Sequence, residues 1–538
     1  MRHIWLVSTC IICLKALPCN AQVAKDTTIK GSTIEIIQSY KPQVKQTPKP
    51  EIAPLLPPSD TIHPKFDYIV PQQSLYYTYN SPALKPLALG SDSMENFYPN
   101  YVKIGAGNLS TIYLDAALSK IKWKDYEGIV HINHISQEGS LKYQQTSLSG
   151  IDAEGTVHRN GNAWHGFADG SIDQYHYYGY DHDVYSPSTD SVKQTFTGIH
   201  LGLDMQNEKA GYMGINYHPA VFASFYRDAF SANESTLGFN IPISKTIDES
   251  LEVTGAINAT VTQLAVNSKS NGNNIFAISP GINFNKQNWG IRAVLSPTAG
   301  NSGIYLLPDI DLHYRLQSIY LLNAGWQATL KQNTYEQLST ENPYIYNTYA
   351  MHQTQSNELY AGIKGSMGNH IFFSGRLSWW QYSKMPVFLN DSGEQKQFYI
   401  IWYDKVNNVS IQANARYDVA DIFSAGIGMH YNKYSSDNGT VWHEPSFIVK
   451  GDLVICPIAK LTCTAYLSVL SGMKALNAQH EETSLPTTLD IGGNASYQII
   501  NRLSVFLQIN NLLNNKNERW LGYQSYGLNI YGGLRLIF

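Results

Sequence analysis

The segment Asp173 to Tyr185, DQYHYYGYDHDVY, holds the densest group of side chains that could do chemistry. His176, Asp181, His182 and Asp183 carry imidazole and carboxylate groups, which are natural metal ligands. Tyrosine and histidine also gather at membrane interfaces, where an apolar ring ends in a polar tip. We favour an interfacial aromatic belt that continues into a solvated loop, and we predict no metal site and no cofactor.

The remaining histidines are scattered along the chain, and none stands beside a nucleophile motif. The sequence contains no G-x-S-x-G element, no Walker loop and no H-E-x-x-H pair. These motifs supply the nucleophile, the phosphate cradle and the zinc ligands of the large hydrolase and nucleotide-dependent classes. We therefore predict that the chain is not an enzyme.

Two aromatic stretches are candidates for ligand or partner contact. LSWWQYSKMPVF (377–388) fits either stacking on a sugar or a membrane-interface girdle. NPYIYNTYAMH (342–352) is a tyrosine-rich segment of the kind that contacts partners. The predicted extracellular contact residues are Tyr344, Tyr346, Tyr349, Trp379 and Trp380.

Only two of the five cysteines, Cys456 and Cys463, lie beyond the first 21 residues. Two are too few for a disulfide scaffold or a structural zinc site. They flank the tight turn PIAK (457–460), and this spacing permits a cross-strand disulfide in an oxidising compartment. The sequence leaves two alternatives, a disulfide and a pair of free thiols.

The first 21 residues, MRHIWLVSTCIICLKALPCNA, have the pattern of a secretory signal peptide. Net charge is -4 and the sequence pI about 6.5, which gives no indication of a nucleic-acid partner. No later stretch has the roughly 18 consecutive apolar residues of a membrane-spanning helix. An exported chain of this kind crosses a membrane only as a closed barrel.

Residues 22–99 have a proline every few positions, as in KPQVKQTPKPEIAPLLPP. Proline at this density excludes regular helix and central strand. We predict an extended periplasmic segment that docks a partner or enters the barrel lumen.

From Tyr101 onward, short segments alternate between apolar and polar residues, which is typical of half-buried strands. In LLPDIDLHYRL, Leu306, Ile310 and Leu312 share one face, and Asp309 and Asp311 share the other. In a membrane barrel, the apolar face meets lipid and the polar face lines the lumen. We predict an all-β transmembrane antiparallel barrel of about 22 strands over residues 100–538.

The connections between these strands alternate in length. Long ones such as STENPYIYNTYAMHQTQ and NDSGEQKQFYIIWYDKVN follow tight ones such as QS (317–318) and NR (501–502). Outer-membrane barrels have this asymmetry, with long extracellular loops and short periplasmic turns. We therefore predict an outer-membrane location, with membrane lipid in contact with the outer surface of the barrel.

The last thirty residues, INNLLNNKNERWLGYQSYGLNIYGGLRLIF, resemble the closing hairpin of TonB-dependent receptors. In that family an Asn-Leu-(Leu/Phe)-Asn stretch ends the penultimate strand, and here it is Asn511 to Asn514. The Asn- and Tyr-rich style suggests a Bacteroidota-type member. The resemblance implies recognition by the barrel-assembly machinery through an alternating C-terminal signal, Tyr526, Leu528, Ile530, Leu534, Leu536 and Phe538.

The resemblance fails at the N-terminus, because the family places a globular plug inside its barrel. Residues 22–99 show no plug pattern and no convincing TonB box. Since 22-stranded barrels are normally plugged, we expect the lumen to be filled by this segment, by inward-folded loops or by a periplasmic or plug-like partner. The alternative is a wide open pore. The predicted function is transport or membership of an envelope complex. The alternative is a non-conducting scaffold whose N-terminal tail docks a partner.

Overall fold

Twenty-two antiparallel strands form a closed barrel in the part of the chain that the structure describes. The structure is a computed structural model, and it describes residues 100–538 except 124–125, 318, 349, 392–396 and 421, without the side chains of 120–123 and 212. The predicted signal peptide and the Pro-rich segment lie outside the described residues. The predicted fold class and strand number are confirmed.

The strands follow one another around the barrel, each paired with its neighbours in the chain. Their bounds are β1 Tyr101–Gly107, β2 Ile112–Trp123, β3 Tyr126–Glu138, β4 Gln145–Arg159, β5 Asn162–His176, β6 Lys193–Asn207, β7 Ile215–Tyr217 continued by Ala220–Arg227, β8 Asn233–Thr246, β9 Leu251–Val266, β10 Lys269–Ile278 continued by Gly281–Lys286, β11 Trp289–Gly300, β12 Gly303–Leu316, β13 Tyr320–Gln332, β14 Gln353–Met367, β15 Ile371–Ser383, β16 Val406–Val419, β17 Phe423–Ser436, β18 Phe447–Ile458, β19 Leu461–Ser471, β20 Thr488–Ile500, β21 Leu503–Asn510 and β22 Asn529–Ile537.

Alternation in the sequence decides which side chains face out. In β21, Leu507 is exposed on the outer surface, whereas its neighbour Phe506 is buried against Tyr113 and Tyr531 on the inner face. The ammonium of Lys103 lies 4.1 Å from the centre of the Phe506 ring. Phe506 breaks the polar pattern of the inner face, and this aromatic and cationic environment accommodates it.

The barrel closes where β1 pairs with β22, with Val102 opposite Leu536 and Gly105 opposite Gly533. The two glycines are required by close approach, since a Cβ on Gly533 would overlap the carbonyl oxygen of Ile104. Leu534, Leu536 and Phe538 are exposed on the outside of this seam. Tyr526 and Leu528, which were predicted to continue the same strand face, precede β22 in its incoming loop.

Connections differ between the two ends of the barrel, as predicted. One end carries the long loops 177–192, 333–352, 384–405, 437–446, 472–487 and 511–528. The other end has tight turns such as 160–161, 287–288, 459–460 and 501–502. By the rule for outer-membrane barrels, the long loops mark the extracellular end.

The helices of the described residues are short and belong to the extracellular loops. They are α1, Thr189–Val192, and α2, Tyr335–Glu341; a 3-10 turn spans Tyr212–Gly214. Within the same residues, no helix is long and apolar enough to cross a membrane. The loops also form three small hairpins, of which the largest pairs Met385–Asn390 with Phe398–Tyr403.

Candidate functional site

The long extracellular loops share one hydrophobic core at the mouth of the barrel, which we call the mouth cluster. It combines side chains from five loops with others from the upper ends of β6, β7 and β9. Its buried members are Tyr178, Phe196, Tyr226, Ala232, Leu264, Val266, Tyr335, Leu338, Ile345, Met351, Phe388, Phe398, Trp520 and Tyr523. Loops from opposite sides of the wall therefore meet and pack together instead of standing apart in solvent.

Helix α2 begins at a polar cap and is fastened to the wall there. The hydroxyl of Thr334 accepts a hydrogen bond from the Gln337 N–H at 3.2 Å, as an N-cap residue does. The carboxylate of Glu234 on β8 accepts from the N–H groups of Tyr335 (2.7 Å) and Glu336 (3.1 Å). A carboxylate at a helix N-terminus satisfies donors that the helix leaves unpaired.

Side chains of the helix extend this attachment. The Tyr335 hydroxyl donates to Asp228 at 2.8 Å, and the hydroxyls of Tyr226 and Ser339 lie 2.8 Å apart. Since Asp228 and Tyr226 lie at the upper end of β7 and just beyond it, one side of the wall holds α2 by several hydrogen bonds.

Glu336 joins the loop 333–352 to the wall of the barrel by polar contacts. His200 of β6 places Nε2 2.7 Å from Glu336 Oε1, and Ser224 of β7 donates to the other carboxylate oxygen at 3.2 Å. Nδ1 of His200 lies 2.8 Å from Asp169 of β5. An imidazole between two carboxylates donates to both only when both of its nitrogens are protonated.

Aromatic rings fill the centre of the mouth. Tyr344 and Tyr523 stack with ring centres 3.5 Å apart, and Tyr178 meets both of them edge-on at 6.0 and 4.9 Å. Desolvation raises the pKa of Tyr344 and Tyr523 well above the ordinary value. The three rings come from three loops, so their packing holds these loops together.

A second part of the mouth is built around His443 in the loop 437–446. His443 is buried; its Nδ1 lies 2.9 Å from the Phe388 carbonyl oxygen, and its ring packs near Phe398 and Trp520. Arg519 donates to the His443 carbonyl oxygen. These contacts join the loops 384–405, 437–446 and 511–528.

The pKa values of two titratable groups in this loop are shifted in opposite directions. Desolvation lowers the pKa of His443 to about 3, because burial disfavours the imidazolium. Desolvation raises the pKa of the neighbouring Glu444 to about 7, and nearby Arg519 opposes that rise. The mouth therefore contains groups whose charge depends on whether the loops are closed.

The inner face of the wall carries paired polar groups of the kind that line an aqueous lumen. His131 lies between Asp115 (3.1 Å) and Asp152 (3.4 Å) on adjoining strands. On the far side, the Arg376 guanidinium holds the Glu358 carboxylate through two nitrogens at 3.0 and 2.5 Å. Charged groups here are balanced by partners across neighbouring strands.

The predicted aromatic contact residues separate into distinct environments. Tyr344 is partly buried and packs against the mouth cluster, whereas Tyr346 is 46% exposed and lies 5.8 Å from the Tyr399 ring. Trp379 is 43% exposed on the outer face of β15, and Trp380 turns inward and stacks on Tyr382 at 5.6 Å. Tyr349 lies outside the described residues.

The predicted interfacial belt after His176 is wrong for Tyr177, Tyr178 and Tyr180, which are buried, whereas residues 181–186 are exposed, as predicted for a solvated loop. Their local sequence resembles an interfacial belt, but loops distant in the chain cover them. Sequence alternation carries no signal for such packing.

Of the two alternatives that the sequence left for Cys456 and Cys463, the structure has the pair of free thiols. Cys463 pairs in register with Ile455, and the Cys456 sulfur lies beside Thr462, the next residue along the partner strand. Successive side chains of a strand point to opposite faces, so the two thiols are on opposite sides of the sheet.

No protein-family model and no curated protein matches this sequence. Its fold is similar to solved structures at low identity. The FrpB iron transporter from Neisseria meningitidis matches with a TM-score of 0.65, 10% identity, and coverage of 82% of this chain and 81% of that chain. The ferric enterobactin receptor PfeA from Pseudomonas aeruginosa, in complex with enterobactin, matches with a TM-score of 0.64 and 11% identity. The match covers 82% of this chain and 81% of that chain. FpvA of P. aeruginosa bound to heterologous pyoverdines matches with a TM-score of 0.61 and 11% identity. The match covers 82% of this chain and 71% of that chain.

These three proteins are TonB-dependent receptors with 22-strand barrels. The fold implied by the C-terminal resemblance is therefore confirmed. Residues 100–538 number 439 of 538, which is also 82% of this chain. The number of residues that match these structures therefore equals the number of residues in the barrel region.

Proposed function

We propose that this protein is an outer-membrane transport barrel of TonB-dependent-receptor architecture whose extracellular mouth is closed by its own loops. The mouth cluster carries the proposal, because a solute crossing the barrel must displace loops that bury a common aromatic core. A wall of 22 strands is wider than the 16–18 strands that already leave an aqueous channel. Closure by loops supplies a seal that such a wall requires.

The proposed pathway continues below the mouth through a lumen lined by paired charges such as His131 with Asp115 and Arg376 with Glu358. At its periplasmic end, residues 22–99 or a plug-like periplasmic protein would form a second closure. The host is proposed to be a Bacteroidota-type bacterium, on the strength of the Asn- and Tyr-rich sequence.

Conductance in planar lipid bilayers tests the proposal with four forms of the protein. These are the full chain, Δ22–99, a variant with 335–347 replaced by a short Gly-Ser link, and the combination. A matched control shortens the turn 477–480, which lies outside the mouth cluster. Large conductance steps are expected only in forms that lack the mouth loop. They should occur in both such forms if a separate protein supplies the second closure, and in the combined form alone if residues 22–99 supply it.

Silence in all four forms, with each barrel folded, would contradict a transport pathway and favour the non-conducting scaffold. Steps in Δ22–99 alone would show that the N-terminal segment, and not the mouth, closes the lumen. Folding is checked by the shift in SDS gel mobility on boiling.

We also propose that the outward side chains of β22, ending in Phe538, present the C-terminal signal to the barrel-assembly machinery. Their exposure along the seam supports this role, because no inner packing requires Leu534, Leu536 or Phe538. Deleting Phe538 is expected to lower the amount of protein in the outer membrane before any change in conductance per folded barrel. Normal amounts of the truncated protein would contradict the proposal.

A further inference from the structure

The ladder between β12 and β13 stops short at the extracellular end. β12 pairs with β11 from Gly303 to Tyr314, but with β13 only from Asp309 to Leu316. β13 continues upward to Gln332 while pairing with β14 alone. Residues 303–308 therefore form one strand of a hairpin whose other edge has no paired strand.

Two prolines show which backbone groups face that edge. Pro297 lies opposite Leu306, and Pro308 lies opposite Leu295. A proline has no N–H, so it occupies a ladder position where no bond to the neighbour is needed. The backbone N–H of Arg315 donates to the carbonyl oxygen of Asn288, just before β11 begins. The backbone N–H and C=O groups of odd-numbered residues of β12 therefore point toward β11. The N–H and C=O groups of Ile304 and Leu306 therefore point toward the free edge.

At the extracellular end of β10, unpaired backbone groups are satisfied by side chains, in contrast to those of β12. Above Phe276, the first residues of β10 have no partner on β11. Side-chain amides take the place of that strand, since Asn301 accepts from Asn274 N–H at 2.9 Å and Gln353 donates to the Asn274 carbonyl at 2.7 Å. No such amide reaches the edge of β12 at Ile304 or Leu306 among the described contacts.

The free edge also lacks the usual protection against pairing. Native edge strands are guarded by charged side chains or cover from another element. The hairpin segment 297–308, PTAGNSGIYLLP, contains no charged residue. Ile304 is 84% and Leu306 62% exposed on its outer face. Unpaired donors flanked by exposed apolar side chains are the features that strand addition uses.

We propose that the free edge of β12, residues 303–308, pairs with an extended segment of a partner polypeptide at the cell surface. The partner strand is uncharged and apolar where it lies beside Ile304 and Leu306. Its backbone accepts from the two free N–H groups and donates to the carbonyls of Ile304 and Leu306. The inference does not depend on whether the barrel conducts.

Hydrogen exchange of the full-length protein measures the pairing directly. Amides of the fragment containing 303–308 are compared between purified barrel in detergent and isolated outer membranes of the native host. Gaining a stable ladder bond is expected to slow exchange at Ile304 and Leu306 by roughly tenfold or more. Tyr305 and Leu307, which face β11, serve as internal controls and should change little.

Photo-crosslinking in the native host identifies what pairs. A photoreactive residue at Ser302 beside the edge is compared with one at Leu312, which is exposed but paired on both sides. The double variant Ile304→Pro/Leu306→Pro removes the two free donors without removing a bond within the barrel. Its matched control, Ile304→Ala/Leu306→Ala, keeps both donors and removes most of the apolar surface.

Support requires slower exchange together with a polypeptide adduct at Ser302 that the proline pair abolishes and the alanine pair retains. An adduct that survives the proline pair would show contact through side chains alone and overturn the proposal. An adduct with the mass of two copies of this chain would replace the partner with a second copy. Unchanged exchange without an adduct would show that the edge is solvated.

Discussion

Glu336 of α2 and His200 of β6 lie 2.7 Å apart, although 136 residues separate them in the chain. Ser224 holds the second oxygen of the same carboxylate, and Asp169 holds the second nitrogen of the same imidazole. The pair joins the loop 333–352 to the wall of the barrel. Opening the mouth by moving α2 requires these bonds to break.

Substitution Glu336→Ala is expected to raise the open probability of the mouth. Hydrogen bonds to charged groups contribute about 1.5–3 kcal/mol each, so losing two should favour the open state by roughly tenfold or more. Single-channel recording in planar bilayers measures the change. The control Thr340→Ala removes a hydroxyl that bonds only to the helix backbone. Equal open probabilities in Glu336→Ala and the control would contradict a latch at this position.

Two tyrosines two positions apart in one loop should respond differently to truncation. Tyr344→Ala removes a partly buried ring that stacks on Tyr523, and the cost of about 3–5 kcal/mol for truncating a fully buried aromatic ring is its upper bound. Tyr346→Ala removes a ring that is half exposed and should change loop stability little. Limited proteolysis of loop 333–352 in outer-membrane vesicles is expected to accelerate strongly in the first variant only. Similar rates in both variants would mean that the mouth cluster does not hold the loop.

Most of the barrel was predictable because the wall obeys local rules. Alternation between Leu306 or Leu312 and Asp309 or Asp311 reports the two faces of a sheet directly. Strand number follows from connection lengths, and the seam follows from the alternating residues of β22. These signals lie within about twenty residues of one another in the chain.

The packing of the mouth was not predictable, because its contacts join loops distant in sequence. Tyr178, Tyr344 and Tyr523 lie in segments without periodicity, so nothing local distinguishes an enclosed tyrosine from an interfacial one. Glu336 carried no motif, and its partner His200 was one of several scattered histidines. Only the closed wall brings these residues together.

The stability of the closed mouth should be highest over a range of pH and should decrease on either side of it. Glu444 titrates at about 7 when closed and at 4.5 when solvated, so its contribution is full below pH 4.5 and is lost as pH rises through 7. His443 titrates at about 3 when closed and at 6.5 when solvated, so its contribution is lost as pH falls from 6.5 toward 3. The two slopes oppose each other between about pH 4.5 and 6.5, where closure should be most stable.

Proteolysis of the mouth loops between pH 4 and pH 8, with a protease active over that range, checks this dependence. Glu444→Gln should remove the loss of protection above pH 6.5 and leave the acidic loss in place. If the variant retains the full alkaline dependence, Glu444 is not the titrating group.

Barrel closure should depend on the absence of a side chain at Gly533. An alanine Cβ at this position would overlap Ile104 of β1 and lie 2.6 Å from the Gly105 Cα, and both are backbone that cannot move without separating the seam. Gly533→Ala is expected to reduce the folded fraction, measured as the band that shifts mobility on boiling in SDS. Gly375→Ala on β15 is the matched control, because its Cβ would lie at ordinary distances of 3.7 Å from Ile363 and 3.9 Å from Gln412. A normal folded fraction in Gly533→Ala would mean that β1 and β22 meet in a different register.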